Sequence, residues 1–468
     1  MTLRTTLAGL ALAIASLCAH AETLRVAIGT QDTTINCAAG GLLVRELNLL
    51  PKYLPHDGKY QGAQYDIQWK NFTSGAPLTN EMVAGKLDFG AMADFPGSLN
   101  GVAHEAAGKR SLFISVLSGS IEGSGNGIVV PASSKVQSLA ELKGQTISVP
   151  FASTAHGLLL RAIAAQGWDP DKDVTIIAQP PEVAGSALQA NKIAAHADFV
   201  PFAELFESRG IARKIYDGSQ AKAPTFHGAL VEADYAQKYP EIVEAYLRAT
   251  YEAHQLLAAE PEKYSELIEK VAGIPAEVNY LFHGPLGLQT RDLTWKPEYR
   301  QAVTTAIDTL KLLKKADRGL NVEQFVDDRY IRAAFKAAGA DYDAALKNYA
   351  QQPLTATDAL TGKAIADPRH VAQVWVRGEP KVRSYASARE ALGEAAKLKQ
   401  QGKDIRAVYA QASDSGIKLL ASQAWFVQGK DGALDAFLLK EQAERYAQSN
   451  GGEVRDFAGA SQQAVASR

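Results

Sequence analysis

The stretch Trp69–Gly97, WKNFTSGAPLTNEMVAGKLDFGAMADFPG, decides how this chain is read. Its pattern predicts a strand, a Ser-Gly turn, a short amphipathic helix, a second strand, and a second turn that opens another helix. Pro77 is expected at the first helical position, where an N–H would have no partner anyway. Ser74, Gly75 and Ala76 then lie at a helix mouth, with free backbone N–H groups and the positive end of the helix dipole facing outward. Such a mouth holds an anion without a charged side chain. An ordinary capped turn has the same sequence, so one copy is weak evidence.

A second turn of the same kind shifts the balance. Gln145–Gly167, QTISVPFASTAHGLLLRAIAAQG, runs from a β-branched strand through Phe151-Ala-Ser-Thr154 into an apolar-faced helix. Ser153 or Thr154 is the expected N-cap, which leaves the amides of Ala155 and His156 for a ligand. Two helix mouths on separate strand–helix units predict a cleft whose halves both offer donors to one anion.

The rest of the chain sets the frame. Arg4, an apolar run from Leu7 to Leu17 and Ala19-His20-Ala21 read as a secretory leader over residues 1–21. That run is too short to span a membrane. Removing it leaves Cys37 as the sole cysteine, so no internal disulfide is expected of an exported protein. With 49 basic and 51 acidic residues the chain is near neutral, which gives no reason to expect nucleic acid or an anionic membrane as partner.

Alternating strands and helices predict an α/β fold of two lobes joined by two crossings. Residues 22–117 and 225–350 form the first lobe with a helical extension, and 118–224 the second. The Gly-rich SGSIEGSGNG (Ser118–Gly127) and the segment Pro224–Gly228 are the expected crossings. Residues 351–371 read as a linker. Residues 372–460 read as an α+β tail of two ββαβ units, with Trp375 and Gly378 in loose register with Trp425 and Gly429.

These residues carry a resemblance. F-x-SG-x-P at Phe72–Pro77, AGKLDFG at Ala84–Gly90, AD-x-PG at Ala93–Gly97 and LAELKGQTISVPFASTAHGLLLRA at Leu139–Ala162 resemble the periplasmic substrate-binding proteins of ABC importers for nitrate, taurine and alkanesulfonates. The resemblance covers about Leu24 to Tyr349. It implies a two-lobed type II binding fold, a small organic anion as ligand, a membrane permease as partner, a periplasmic location and a monomer without cofactor. QDTTINCAAGGLLVRE is most like the sulfonate and sulfate-ester binders. Where that family often has a tryptophan, this chain has Phe199-Val-Pro201-Phe202, an apolar wall suited to an organic tail. The tail resembles the small domain of the nitrous-oxide reductase accessory lipoprotein, which implies copper. Copper(I) wants soft sulfur ligands, and no Met or Cys follows Met92.

The expected ligand residues are Ser74 and Gly75 from the first lobe and Ser153, Thr154 and His156 from the second, with Ser120 at the crossing and Phe199 on the wall. His156 serves equally as a helix-surface residue. Asp94 either pairs with a ligand amine or caps the helix at Pro96. Gln31 and Asn36, beside Cys37, sit on the first strand-to-helix loop, a ligand edge in α/β sheets, or are merely solvated there. His227 reaches the cleft or packs the hinge. The alternative to a transport component is an exported enzyme or accessory factor, related to thiamine-pyrimidine synthesis or to metalloenzyme maturation. Cys37 alone does not supply the cysteine-rich motif of that synthesis, and no metal ligand set is expected.

Overall fold

The computed structural model describes residues 23–312, 320–349 and 354–466; the leader expected over residues 1–21 lies outside them. Ten strands build two lobes. They are β1 (Thr23–Thr30), β2 (Gln64–Asn71), β3 (Phe89–Ala93), β4 (Ser111–Ser120), β5 (Gly127–Pro131), β6 (Thr146–Val149), β7 (Thr175–Ala178), β8 (Ala195–Asp198), β9 (Ala212–Asp217) and β10 (Thr225–Glu232). The first sheet has the order β2-β1-β3-β10-β4 and the second β7-β6-β8-β5-β9. In each, one strand runs antiparallel to both of its neighbours: β10 in the first, β5 in the second. These are the first strands the chain makes after each crossing, so each lobe's sheet takes one strand delivered across the hinge. That reciprocal exchange is the two-lobed type II binding fold. Inner strands β3, β5 and β8 are buried along their whole length, as covered sheets require, and so is edge strand β4, whereas edge strand β2 alternates.

The crossings, residues 121–126 and 218–224, run side by side: Thr225 pairs with Ser120, and Gly127 with Asp217. Gly123, at φ +90°, sits so close that a Cβ would lie 2.4 Å from the Ala223 carbonyl oxygen. The second crossing lies earlier than Pro224–Gly228, because Thr225–Gly228 already pairs within β10. Beyond β10, helices Pro240–Ala259, Pro261–Ala272 and Pro297–Leu312 each open on a proline, where the missing N–H is harmless.

The tail holds two antiparallel sheets. β11 (Ala372–Val376), β12 (Arg383–Tyr385), a helix Ala388–Gln400, β13 (Ile405–Gln411) and β14 (Lys418–Leu420) make the first half. β15 (Trp425–Gln428), β16 (Leu434–Phe437), a helix Lys440–Asn450 and β17 (Glu453–Arg455) make the second, followed by a helix Phe457–Ala466. Part of the expected linker is structured: buried Asp358 accepts the N–H groups of Leu360, Thr361 and Ala386, pinning a turn onto the tail. The tail docks on the first lobe's helical extension. Arg406 bridges Glu269 (2.7 Å) and Glu277 (3.1 Å), Tyr409 donates to the Glu277 carbonyl, and the Lys418 N–H to that of Leu286. Gln423 also reaches the second lobe, donating to the Glu207 carbonyl at 2.8 Å.

Candidate functional site

The two helix mouths line one cleft of about 260 Å³ between the lobes, together with Gln31, Thr34, Phe151, Gln179, Phe199 and His227. The first-lobe mouth opens the helix Gly75–Val83, with Ser74 as N-cap. Pro77 is thus third in the helix rather than first, which is tolerated because first-turn N–H groups have no intrahelical acceptor. The Ser74 hydroxyl caps nothing, and a Cβ on Gly75 would lie 2.4 Å from the Pro96 Cβ. Only glycine lets the backbone amides approach the cleft so closely.

The second-lobe mouth opens the helix Thr154–Ala165. Ser153 is its N-cap, accepting the His156 N–H at 3.2 Å and donating to the Pro150 carbonyl at 2.6 Å. The His156 amide, expected to be free, is therefore taken, and so is the Ser153 hydroxyl. The Thr154 hydroxyl is occupied as well, donating across the cleft to Asp94 at 2.7 Å. What this mouth offers the cleft is the first-turn N–H of Thr154; Ala155 is buried and off the lining. His156 is absent from the lining. Its ring stacks on Phe151 at 4.7 Å with planes 3° apart, and its Nδ1 accepts the Ala152 N–H at 3.4 Å. Burial lowers its pKa, so the ring acts as a neutral prop. Phe151 itself is 51% exposed at the cleft.

Asp94 differs from both expectations. It is the first residue of the helix Asp94–Ala106, not its N-cap, and it lies buried behind the lining. Its carboxylate accepts from the Phe95 N–H at 2.6 Å as well as from Thr154. Burial raises its pKa, opposed by these bonds, by the Thr225 hydroxyl and by the nearby Arg161 charge. It ties the lobes together and has no free face for a ligand amine.

Gln31 lines the cleft and donates to the Ala91 carbonyl at 2.9 Å. Asn36 lies behind the lining, its Nδ2 donating to His227 Nδ1 at 3.1 Å and to Gln289. That bond makes Nδ1 the acceptor and leaves Nε2 as the N–H nitrogen of His227. Burial pushes the His227 pKa down to about 3, so the ring stays neutral. Ser120 is not at the cleft: its hydroxyl accepts the Gly123 and Ser124 N–H groups and shapes the first crossing. Cys37 is buried outside the cleft lining, and burial drives its thiol far above the ordinary range. Phe199 lines the cleft, edge-on to Phe202 at 5.5 Å.

Sequence reasoning missed Thr34 and Gln179. Thr34 Oγ1 and Gln179 Oε1 are buried cleft atoms with no hydrogen-bond partner. Thr34 lay within a quoted loop, but nothing marks it out from Thr33; Gln179 follows β7 with no local signal at all. Among the described lining residues there is no lysine or arginine, and Glu182 is the sole formal charge.

Residues 53–272 match the NMT1-like family. The taurine-binding periplasmic protein of Escherichia coli is 28% identical over 289 residues, covering 58% of this chain and 86% of that one. The solved alkanesulfonate-binding protein of Xanthomonas axonopodis pv. citri, bound to MOPS, superposes with a TM-score of 0.54 at 22% identity, over 66% of this chain and 99% of that one. A desulfurization enzyme in complex with biphenyl-2-sulfinic acid shares the fold at a TM-score of 0.51 and 12% identity, over 68% of this chain and 99% of that one. Up to the tail, this chain is similar in sequence to a taurine-binding periplasmic protein and in fold to an alkanesulfonate-binding one.

Proposed function

We propose that the chain is the periplasmic solute-binding component of an ABC importer for a monoanionic organosulfur oxyanion, an alkanesulfonate, taurine or sulfate ester. The observation that carries this reading is that two helix mouths, one per lobe, line a single cleft whose described lining has no cationic side chain. A desolvated oxyanion needs several donors in place of its water. The amides at Gly75, Ala76 and Thr154, the hydroxyls of Ser74 and Thr34, and His227 Nε2 supply them. Helix dipoles balance one negative charge more readily than two, which disfavours sulfate. Phe151, Phe199, Pro150 and Pro180 form the apolar wall for an organic tail. Gln179 Oε1, an acceptor only, is placed for a ligand N–H or O–H.

Ligand bridging both mouths stabilises the closed arrangement by contacts an open one lacks, and the closed form is what a permease receives. The tail is a docking module held on the first lobe, with the fold of the accessory-lipoprotein small domain but not its copper chemistry. A catalytic reading with a cysteine nucleophile on the same fold is disfavoured, because Cys37 is buried outside the lining and burial works against its thiolate.

A calorimetric screen of taurine, hexanesulfonate, an aryl sulfate, nitrate and sulfate, with recovery of ligand afterwards, tests this. Saturable binding of an unaltered sulfonate or sulfate ester is the expected result. Consumption of the ligand, or tighter binding of sulfate than of any organic anion, would overturn it.

A further inference from the structure

The tail contains a second crevice, of about 700 Å³, which shares no lining residue with the cleft between the lobes. It lies between the tail's two halves. Ser387, Arg389, Glu390 and Glu394, at the start of the helix Ala388–Gln400, line one side. Asp431 and Asp435, in and before β16, line the other. Gln411, at the end of β13, also lines it.

Gln411 is only 4% exposed, yet neither its amide nitrogen nor its amide oxygen has a hydrogen-bond partner. Glu390 Oε2 is another buried atom of the crevice without a partner. Polar groups withdrawn from water are almost always bonded, and an exception asks for an explanation. Two such groups beside one cavity point to a ligand that completes them. Asp435, by contrast, is already satisfied by Ser413 (3.1 Å) and Tyr446 (3.2 Å).

The balance of the lining specifies the ligand. Four carboxylates (Glu390, Glu394, Asp431 and Asp435) outnumber the guanidinium of Arg389 and the Lys397 ammonium that pairs with Glu394 at 3.5 Å, with His370 also on the lining, so an anion is disfavoured and a cation attracted. The free Glu390 oxygen accepts only; the Gln411 amide both donates and accepts.

We propose that this crevice binds a small organic cation that carries N–H donors and an amide-like edge, the cationic N–H groups on Glu390 and the edge on Gln411. The site is independent of the anion cleft, which gives the tail a ligand of its own.

Argininamide, which has a guanidinium, an ammonium and a carboxamide, is the probe, titrated calorimetrically into the full chain. Choline, a cation without N–H donors, is the control. Saturable binding of argininamide and none of choline is expected. Glu390→Gln and Gln411→Leu should each weaken binding about tenfold or more, as loss of a charge-assisted or a buried hydrogen bond does. Gln411→Leu should leave the melting temperature of the ligand-free chain unchanged or higher, since it removes an unpaired buried amide. No saturable heat with argininamide, equal binding of choline, or unchanged affinity in both variants would overturn the proposal.

Discussion

The two helix mouths face one cleft but are built on opposite plans. The Gly75 mouth is bare: its N-cap hydroxyl caps nothing, and glycine is pressed against Pro96 so that backbone meets the cleft directly. The Thr154 mouth is dressed: Ser153 caps it, Thr154 is spent on Asp94, and His156 is spent on propping Phe151. Of the two neutral histidines nearby, His227 on β10 faces the cleft while His156 of the dressed mouth stands behind it. The same local sequence signal therefore yields an adaptable donor cradle in one lobe and a pre-set wall in the other. Ligand chemistry falls mainly to the first lobe, and closure geometry to the second.

The sharpest way to break this contrast is Gly75→Val. With a Cβ due 2.4 Å from the Pro96 Cβ, the backbone must retreat. Sulfonate affinity should fall at least a hundredfold, about 3 kcal/mol, in calorimetry. Valine at Ala155 in the dressed mouth is no equivalent test, because that side chain is buried.

Asp94→Ala comes next. It strands the hydroxyl of Thr154, leaves that of Thr225 with only the Asn126 amide, and removes the carboxylate that faces Arg161. Denaturant unfolding should show a loss of about 2 kcal/mol, and small-angle scattering of the ligand-free chain should report wider lobes. If the radius of gyration does not move, Asp94 is a packing residue of its own lobe and the dressed mouth does not set closure.

How much of this was legible beforehand divides along the same line. The alternation of short strands and helices determines the lobes, because burial period is written locally. Both mouths were legible too, since Ser-Gly and Ser-Thr before an apolar face are local capping signals. What those side chains then do was not. Whether Thr154 donates to a ligand or to Asp94 depends on a residue 60 positions away in the other lobe. Gln179 and Thr34 acquire meaning only once folding leaves their oxygens buried and unpaired. Ser120 shows the reverse error: it stands at a glycine-rich crossing, but two backbone N–H groups three and four residues on claim its oxygen.

The histidines allow a pH test of the cleft's first-lobe side. His227 in the folded chain protonates only near pH 3, against about 6.5 when unfolded. Its share of stability is therefore whole above about pH 6.5 and is lost as pH falls from there toward 3. Between pH 7 and 5 that share is about 2 kcal/mol. His254 and His283 are depressed to about 3 in the same sense, so the measurement is a difference. His227→Gln, which keeps an acceptor for Asn36, should lose about 2 kcal/mol less than the parent over that interval in urea unfolding.

The smallest and most discriminating test pairs two serines that look alike in sequence. Ser74→Ala should weaken sulfonate binding by roughly 1–2 kcal/mol while leaving the melting temperature in place, because its hydroxyl lines the cleft and caps no helix. Ser153→Ala should do the opposite. It removes the acceptor of the His156 N–H and the donor to Pro150, at about 1 kcal/mol of stability, and it touches affinity only as far as the loop carrying Phe151 relaxes. Melting curves and titrations on the two variants form a two-by-two comparison. If both serines moved affinity and neither moved stability, the mouths would be equivalent after all, and the division of labour between the lobes would have to be given up.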